Sequence, residues 1–142
     1  MAQRMTEVEY NTFLRDRART ATLATVRADG RPHAAPIWFD LDADTLVFTT
    51  GEDTVKGRNM RRDPRVSLCI DEEEPPFHFI IIEGTVELTA EHSELLHWAI
   101  RIGGRYMGAE RADEYGKRNA VPGELLVRVS PEKILAFKNI AD

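Results

Sequence analysis

Between residues 20 and 89 the chain carries five segments of strand character whose connections leave little room for crossover helices. That spacing limits the fold more than any other feature of the sequence. Residues 20–27 alternate, Ala28-Asp29-Gly30-Arg31 supplies an Asp-Gly turn, and residues 32–41 return as a second strand. Asp42-Ala43-Asp44 turns the chain into residues 45–50, so the first three strands read as a meander. Residues 66–70 form a fourth strand, and the acidic run Asp71-Glu72-Glu73-Glu74-Pro75-Pro76 leads into a long fifth, residues 77–89, where Gly84 permits a bulge or a close backbone approach. A sixth strand spans 124–130, with 133–137 extending it or pairing beside it. Consecutive strands without helical crossovers pair antiparallel, so the expected fold is mainly β, an α+β chain with a six-stranded antiparallel barrel, closed, and flanking helices.

The helices have their own signals. Thr6-Glu7-Val8-Glu9 is a capping box opening a helix to about residue 17, with Tyr10, Phe13 and Leu14 on one face to cover the sheet. Leu95, Leu96, Trp98, Ala99 and Ile102 give residues 91–107 a helical period, broken near Gly103-Gly104, and a short helix follows over 109–118 before Pro122-Gly123. A chain of 142 residues suits one domain spanning 1–142, and 42% apolar with 30% charged residues is the balance of an ordinary folded protein rather than a disordered one.

Charge and side-chain chemistry exclude several functions. A net charge of -5 disfavours nucleic acid and membrane surfaces as partners. Cys69 is the single cysteine, so no disulfide closes within the chain. The N-terminal ten residues lack an apolar signal core, and no run approaches the ~18 apolar residues of a membrane span; both point to a reducing cytoplasm. His33, His78, His92 and His97 form no metal-ligand pattern, since His92 and His97 stand about 140° apart around a helix. Nucleophile elbow, Walker loop and dinucleotide fingerprint are absent, and no catalytic side chain declares itself.

The chemistry concentrates in residues 46–64: an apolar strand ending in Thr49 and Thr50, a Gly51-containing loop, and a short helix that Pro64 stops. Residues 54–65 set five cations, Lys56, Arg58, Arg61, Arg62 and Arg65, against Asp63 alone. Hydroxyls, helix-start N–H groups and a lysine in the first turn are the parts that hold a phosphate. The plainer alternative is a surface helix with a solvated basic face. A phosphate site without a protein acid or base fits an enzyme whose reactive atom belongs to a bound cofactor.

The order Gly30-Arg31-Pro32-His33-Ala34-Ala35-Pro36-Ile37-Trp38-Phe39, the Thr49-Thr50 strand end, the run from Lys56 to Val66 and then Ile82-Glu83-Gly84 resembles the pyridoxamine 5'-phosphate oxidase-like flavin and deazaflavin oxidoreductases. The resemblance implies an FMN-binding type of split β-barrel, working as a homodimer with cofactor sites at the subunit interface. It implies Lys56 as the main cation on the cofactor phosphate, Arg58, Asn59 and Arg62 beside it, and the Thr49 and Thr50 hydroxyls as neutral donors. The backbone of Ala35, Pro36, Ile37 and Trp38 would line the ring edge, with Phe77 and His78 as further ring or tail contacts. Trp38 and Phe39 point to opposite faces of their strand, so one of them belongs to packing.

Two features steer the reading within that family. The arginine- and histidine-bearing C-terminal substrate motif of the vitamin B6 oxidases is missing after Glu124, so B6 oxidation is not expected. Arginine outnumbers lysine 15 to 4, as in proteins of GC-rich genomes, where compact members of this superfamily often use coenzyme F420; Arg61, Arg62 and Arg65 also exceed what one phosphate needs and suit an oligoglutamate tail. The expected activity is therefore F420-dependent hydride transfer to a conjugated small molecule. The alternatives are an FMN enzyme of the same fold and a non-catalytic flavin or deazaflavin carrier.

Overall fold

The structure is a computed structural model that describes residues 2–142; Met1, the first residue of the polar N-terminal stretch, lies outside them. Helix α1 (Glu7–Asp16) starts on the expected capping box, with Thr6 Oγ1 accepting from the Glu9 N–H at 3.2 Å and Glu9 Oε1 accepting from the Thr6 N–H at 2.9 Å. Lys138 donates to the same carboxylate, and that bond above all holds the Glu9 carboxyl down at about 2. The far end of α1 is tied to the acidic run after the fourth strand of the sequence reading: Arg17 and Arg19 both bind Glu72, whose carboxyl these bonds also hold at about 2.

Eight strands run through the described residues: β1 (Gln3–Arg4), β2 (Ala21–Val26), β3 (Pro32–Ile37), β4 (Asp40–Asp42), β5 (Thr45–Gly51), β6 (Arg65–Asp71), β7 (Phe79–Thr89) and β8 (Glu124–Lys138). Every pairing is antiparallel, in the order β3-β2-β6-β7-β8-β5-β4 with β1 added to β8. This is the antiparallel split barrel expected, with three corrections. The hydrogen-bonded path stays open between β3 and β4, so the barrel is not closed. Eight strands replace six, because β1 joins the end of β8 and the expected strand 32–41 divides at Trp38-Phe39. The expected meander is interrupted rather than continuous: β3 pairs with β2 and β4 with β5, and β5 gives its other edge to β8.

The division at Trp38-Phe39 has an identifiable cause. Phe39 is fully buried in the main core while Trp38 turns outward, and the Phe39 N–H goes to Tyr106 Oη at 3.1 Å instead of to a neighbouring strand. The inner faces of β2 to β8 share one core with Phe13 and Leu14 of α1, including Leu23, Phe48, Leu68, Ile80 and Val127. The two halves of β8 form one strand, bulged where Gly84 pairs with Pro131 and Glu83 with Lys133; a side chain on Gly84 would lie 2.3 Å from the Ser130 carbonyl oxygen.

Helix α2 (Val55–Arg62) links β5 to β6, and α3 (His92–Met107) and α4 (Ala112–Asn119) pack together outside the sheet. The expected break at Gly103-Gly104 does not occur. These positions let α4 approach instead: a Cβ on Gly103 would stand 2.7 Å from Tyr115 Cβ. Leu95, Trp98 and Ala99 of α3 cover Val47 and Leu126, so the outer face of β5 and β8 is sealed. No helix among the described residues is long and apolar enough to cross a membrane.

Candidate functional site

The end of β5 and the start of α2 are built as one unit. Thr54 caps the helix by accepting the Gly57 N–H at 3.0 Å and donating to the Gly51 carbonyl at 2.7 Å. Gly57 permits this closeness, because a Cβ there would sit 2.3 Å from the Gly51 oxygen. The helix is thereby pressed onto the strand end, and Lys56 in its first turn overhangs a cleft of about 370 Å³.

Five of the residues expected at the site line this cleft: Pro36, Ile37, Trp38, Thr49 and Lys56. Thr49 and Thr50 do not act together. Neighbouring residues of a strand face opposite ways, so Thr49 reaches the cleft while Thr50 is buried, its Oγ1 3.2 Å from Thr54 Oγ1 in the capping network. Ala35 pairs with Leu23 one position from the cleft-lining residues.

Asn59 and Arg62 have other work. Asn59 is buried, its Nδ2 donating to Thr25 Oγ1 at 3.0 Å and its Oδ1 accepting from Arg62 Nη2 at 3.2 Å; Arg62 also donates to the Val26 carbonyl. These two residues staple α2 to β2. Arg58 is exposed beside the cleft's helix without lining the cleft. Phe77 and His78 lie elsewhere, with the His78 ring edge-on to Phe13 and its Nδ1 accepting the Asn139 N–H at 3.1 Å. Phe77 has φ 63, and its carbonyl accepts the Ile140 N–H at 3.0 Å.

The cations of the basic run divide sharply. Arg61 pairs with Glu52 at 3.0 Å and Arg65 with Asp63 at 2.7 Å, which draws the Asp63 carboxyl down to about 2. The side chains of Lys56 and Arg58 form no hydrogen bond or ion pair with the described residues. An unpaired lysine beside a hydroxyl at a helix start is a competent anion holder, and the paired arginines are not available for that task.

The remaining cleft wall is Thr20, Ile102, Asn119 and Glu124, which the sequence reading did not bring to the site. Burial pushes the Glu124 carboxyl up, with the nearby Lys56 charge acting against that shift. Trp38 is 38% exposed and stacks at 4.8 Å and 5° on Tyr106, whose hydroxyl donates to the Arg19 carbonyl at 2.6 Å. One face of an indole is thus backed by a fixed ring, a flat apolar wall in the cleft that Lys56 also lines.

The family model described as pyridoxamine 5'-phosphate oxidase matches residues 6–138, nearly the whole chain. The chain belongs to that family. Among its relatives, a pyridoxine/pyridoxamine 5'-phosphate oxidase of Myxococcus xanthus is 34% identical over 88 residues, covering 61% of this chain and 42% of the oxidase. This family member thus spans less than half the length of the oxidases it matches. A 5a,11a-dehydrotetracycline/5a,11a-dehydrooxytetracycline reductase of Streptomyces rimosus is 27% identical over 123 residues, 81% of this chain and 71% of the reductase. A solved structure named as an F420 reductase superposes with a TM-score of 0.67 at 25% identity, covering 87% of this chain and 94% of that one.

Proposed function

We propose that this chain is a coenzyme F420-dependent reductase that transfers hydride to a conjugated small molecule, and that Lys56 and Thr49 hold the cofactor phosphate. The observation that carries this reading is the unpaired Lys56 over the cleft, next to a hydroxyl and an aromatic wall. A bound deazaflavin or flavin ring supplies the hydride chemistry. The chain's part is to anchor the phosphate, lay the backbone around Pro36 and Ile37 along the ring edge and exclude water; solvent supplies the substrate's proton. Similarity to reductases over most of their length, set against a partial match to the longer oxidases, supports a reductase.

The working unit in this proposal is a two-fold homodimer. Pro36, Thr22, Cys69, Ile81 and Leu135 lie side by side across five strands, an uncharged row on the outer sheet face that the chain's own helices leave bare. Pro36 belongs to both this row and the cleft, so a second copy covering the row also closes the cleft's mouth. Sedimentation is expected to give twice the 16.1 kDa chain mass, and a monomer with full cofactor affinity would refute the shared site. The proposed setting is the cytoplasm, where the free Cys69 thiol stays reduced.

A second reading, FMN in the same cleft, is favoured by one observation. With Arg61, Arg62 and Arg65 engaged by the fold, Lys56 and Arg58 remain for the ligand, which suits one phosphate better than an oligoglutamate tail. Titration with each cofactor, followed by fluorescence quenching, decides between them. Stoichiometric F420 binding with weaker FMN binding is expected; tight FMN binding without F420 binding transfers the assignment to the flavin, and no binding of either overturns both.

A further inference from the structure

Lys56 and Glu124 are the charged residues among those lining the cleft, and they are of opposite sign. Glu124 opens β8 directly across from Gly51, the last residue of β5, so its carboxylate stands at the strand end over which Lys56 hangs; Glu124 Oε2 is 3.7 Å from the position a Cβ on Gly51 would take. The two side chains are not in contact as an ion pair, which leaves Lys56 open to a ligand and Glu124 without a neutralising partner at bonding distance. The other elements around this carboxyl bring uncharged groups to the cleft: Thr49 from β5, Ile102 from α3 and Asn119 from α4. Glu52 in the neighbouring loop is already paired with Arg61.

An anion seated on Lys56 therefore meets a carboxyl group in the same small, partly desolvated space. Two negative charges there oppose each other, and beside a phosphodiester, which keeps its charge throughout the working range, the cheaper outcome is for the carboxyl to take a proton. We propose that Glu124 is a specificity-determining residue of this site: its carboxyl is protonated when an anionic group occupies the Lys56 position, so binding of the anion takes up a proton from solvent. The inference rests on the phosphate-binding reading of the cleft and adds to it a penalty that grows with the ligand's charge. Burial of Glu124 already favours its neutral form, which lowers that penalty for a single phosphate. The sign follows: affinity is highest at low pH, where the carboxyl is neutral before binding, and falls as pH rises through the free protein's value toward the bound one.

The test compares the intact protein with Glu124→Gln, an isostere that keeps the neutral form at every pH, using FMN and coenzyme F420 as probes. Calorimetric titrations between pH 5.5 and 8.5, each in two buffers of different ionisation heat, read the protons taken up; thermal melts check that the variant folds. The expected result is net uptake by the wild type that is lost in Glu124→Gln, together with about tenfold tighter binding by the variant at pH 8, the factor that corresponds to one pH unit of linkage. The phosphodiester of coenzyme F420 has no proton to take up in this range, so uptake with that probe reports Glu124, whereas the monoester phosphate of FMN can itself protonate beside a carboxylate and FMN is used to compare affinities alone. Equal uptake in the two proteins, or weaker binding by Glu124→Gln, overturns the role of Glu124 while leaving the phosphate site standing. Failure of both cofactors to bind the wild type at any pH overturns the site reading and this inference with it.

Discussion

The first turn of α2 and the stretch from Arg61 to Arg65 carry the same kind of side chain under different constraints. Lys56 and Arg58 form no hydrogen bond or ion pair with the described residues, one standing over the cleft and one in solvent. Five residues on, Arg61 holds Glu52, Arg62 spans Asn59 and the Val26 carbonyl, and Arg65 closes on Asp63. The contrast teaches that a basic run is not one patch. Its C-terminal half fixes the helix to β2 and to the adjoining loop, and that fixation is what holds the N-terminal half, with its unsatisfied charge, at a set distance from the strand end. A charge that the fold leaves unpaired costs little where the cleft opens to solvent and becomes useful when an anion arrives.

Substitutions can break this division at either end. The largest loss of stability is expected from Asn59→Ala, which strands the buried Thr25 hydroxyl and releases Arg62; about 2–3 kcal/mol is the scale for an opened buried hydrogen-bond pair with a small cavity, measured by urea unfolding. Gly57→Ala comes next and has the opposite sign to helix propensity. Propensity favours alanine by about 1 kcal/mol, but a Cβ 2.3 Å from the Gly51 oxygen forces α2 off β5, an overpacking cost of roughly 1–3 kcal/mol, so a net loss of stability and a weakened anion site are expected in the same melts and titrations. The smallest change belongs to Arg61→Ala, whose partly exposed pair with Glu52 contributes roughly 0.5 kcal/mol or less. A pH effect accompanies these. The Glu72 carboxyl, held low by Arg17 and Arg19, stabilises the fold above its ordinary titration range; this contribution is lost as pH falls toward about 2, and thermal melts of Arg17→Ala should show a shallower acid decline than wild type.

Much of this was legible in the chain because local signals agreed with the final fold. The capping box at Thr6, the Asp-Gly hairpin and the strand–loop–helix around Lys56 depend on residues close in sequence, and the Gly84 bulge was marked by its glycine although its partners on β8 are distant. Most of the failures come from partners that the local sequence does not name. The break at Trp38-Phe39 depends on Tyr106, which lies 67 residues beyond Phe39 and takes its N–H. Reading Gly103-Gly104 as a break overlooked a packed helix whose small residues admit α4. At the site, alternation along β5 was a signal available in the sequence that separates Thr49 from Thr50, whereas Glu124 reaches the cleft only through the pairing of β5 with β8. The burial of Asn59 likewise needs Thr25 across the sheet.

The central claim is that Lys56 is free for a ligand while its neighbours on α2 are committed to the fold. The most direct measurement is a side-by-side cofactor titration of wild type, Lys56→Ala and Arg61→Ala, with the thermal stability of each unliganded protein recorded alongside. Lys56→Ala is expected to lose about 1.5–3 kcal/mol of cofactor binding, one to two decades in affinity, with unliganded stability near wild type, and Arg61→Ala to bind within a few-fold of wild type. Unchanged affinity in Lys56→Ala, or a collapse of its unliganded fold, would contradict the account and return α2 to a solvated structural helix.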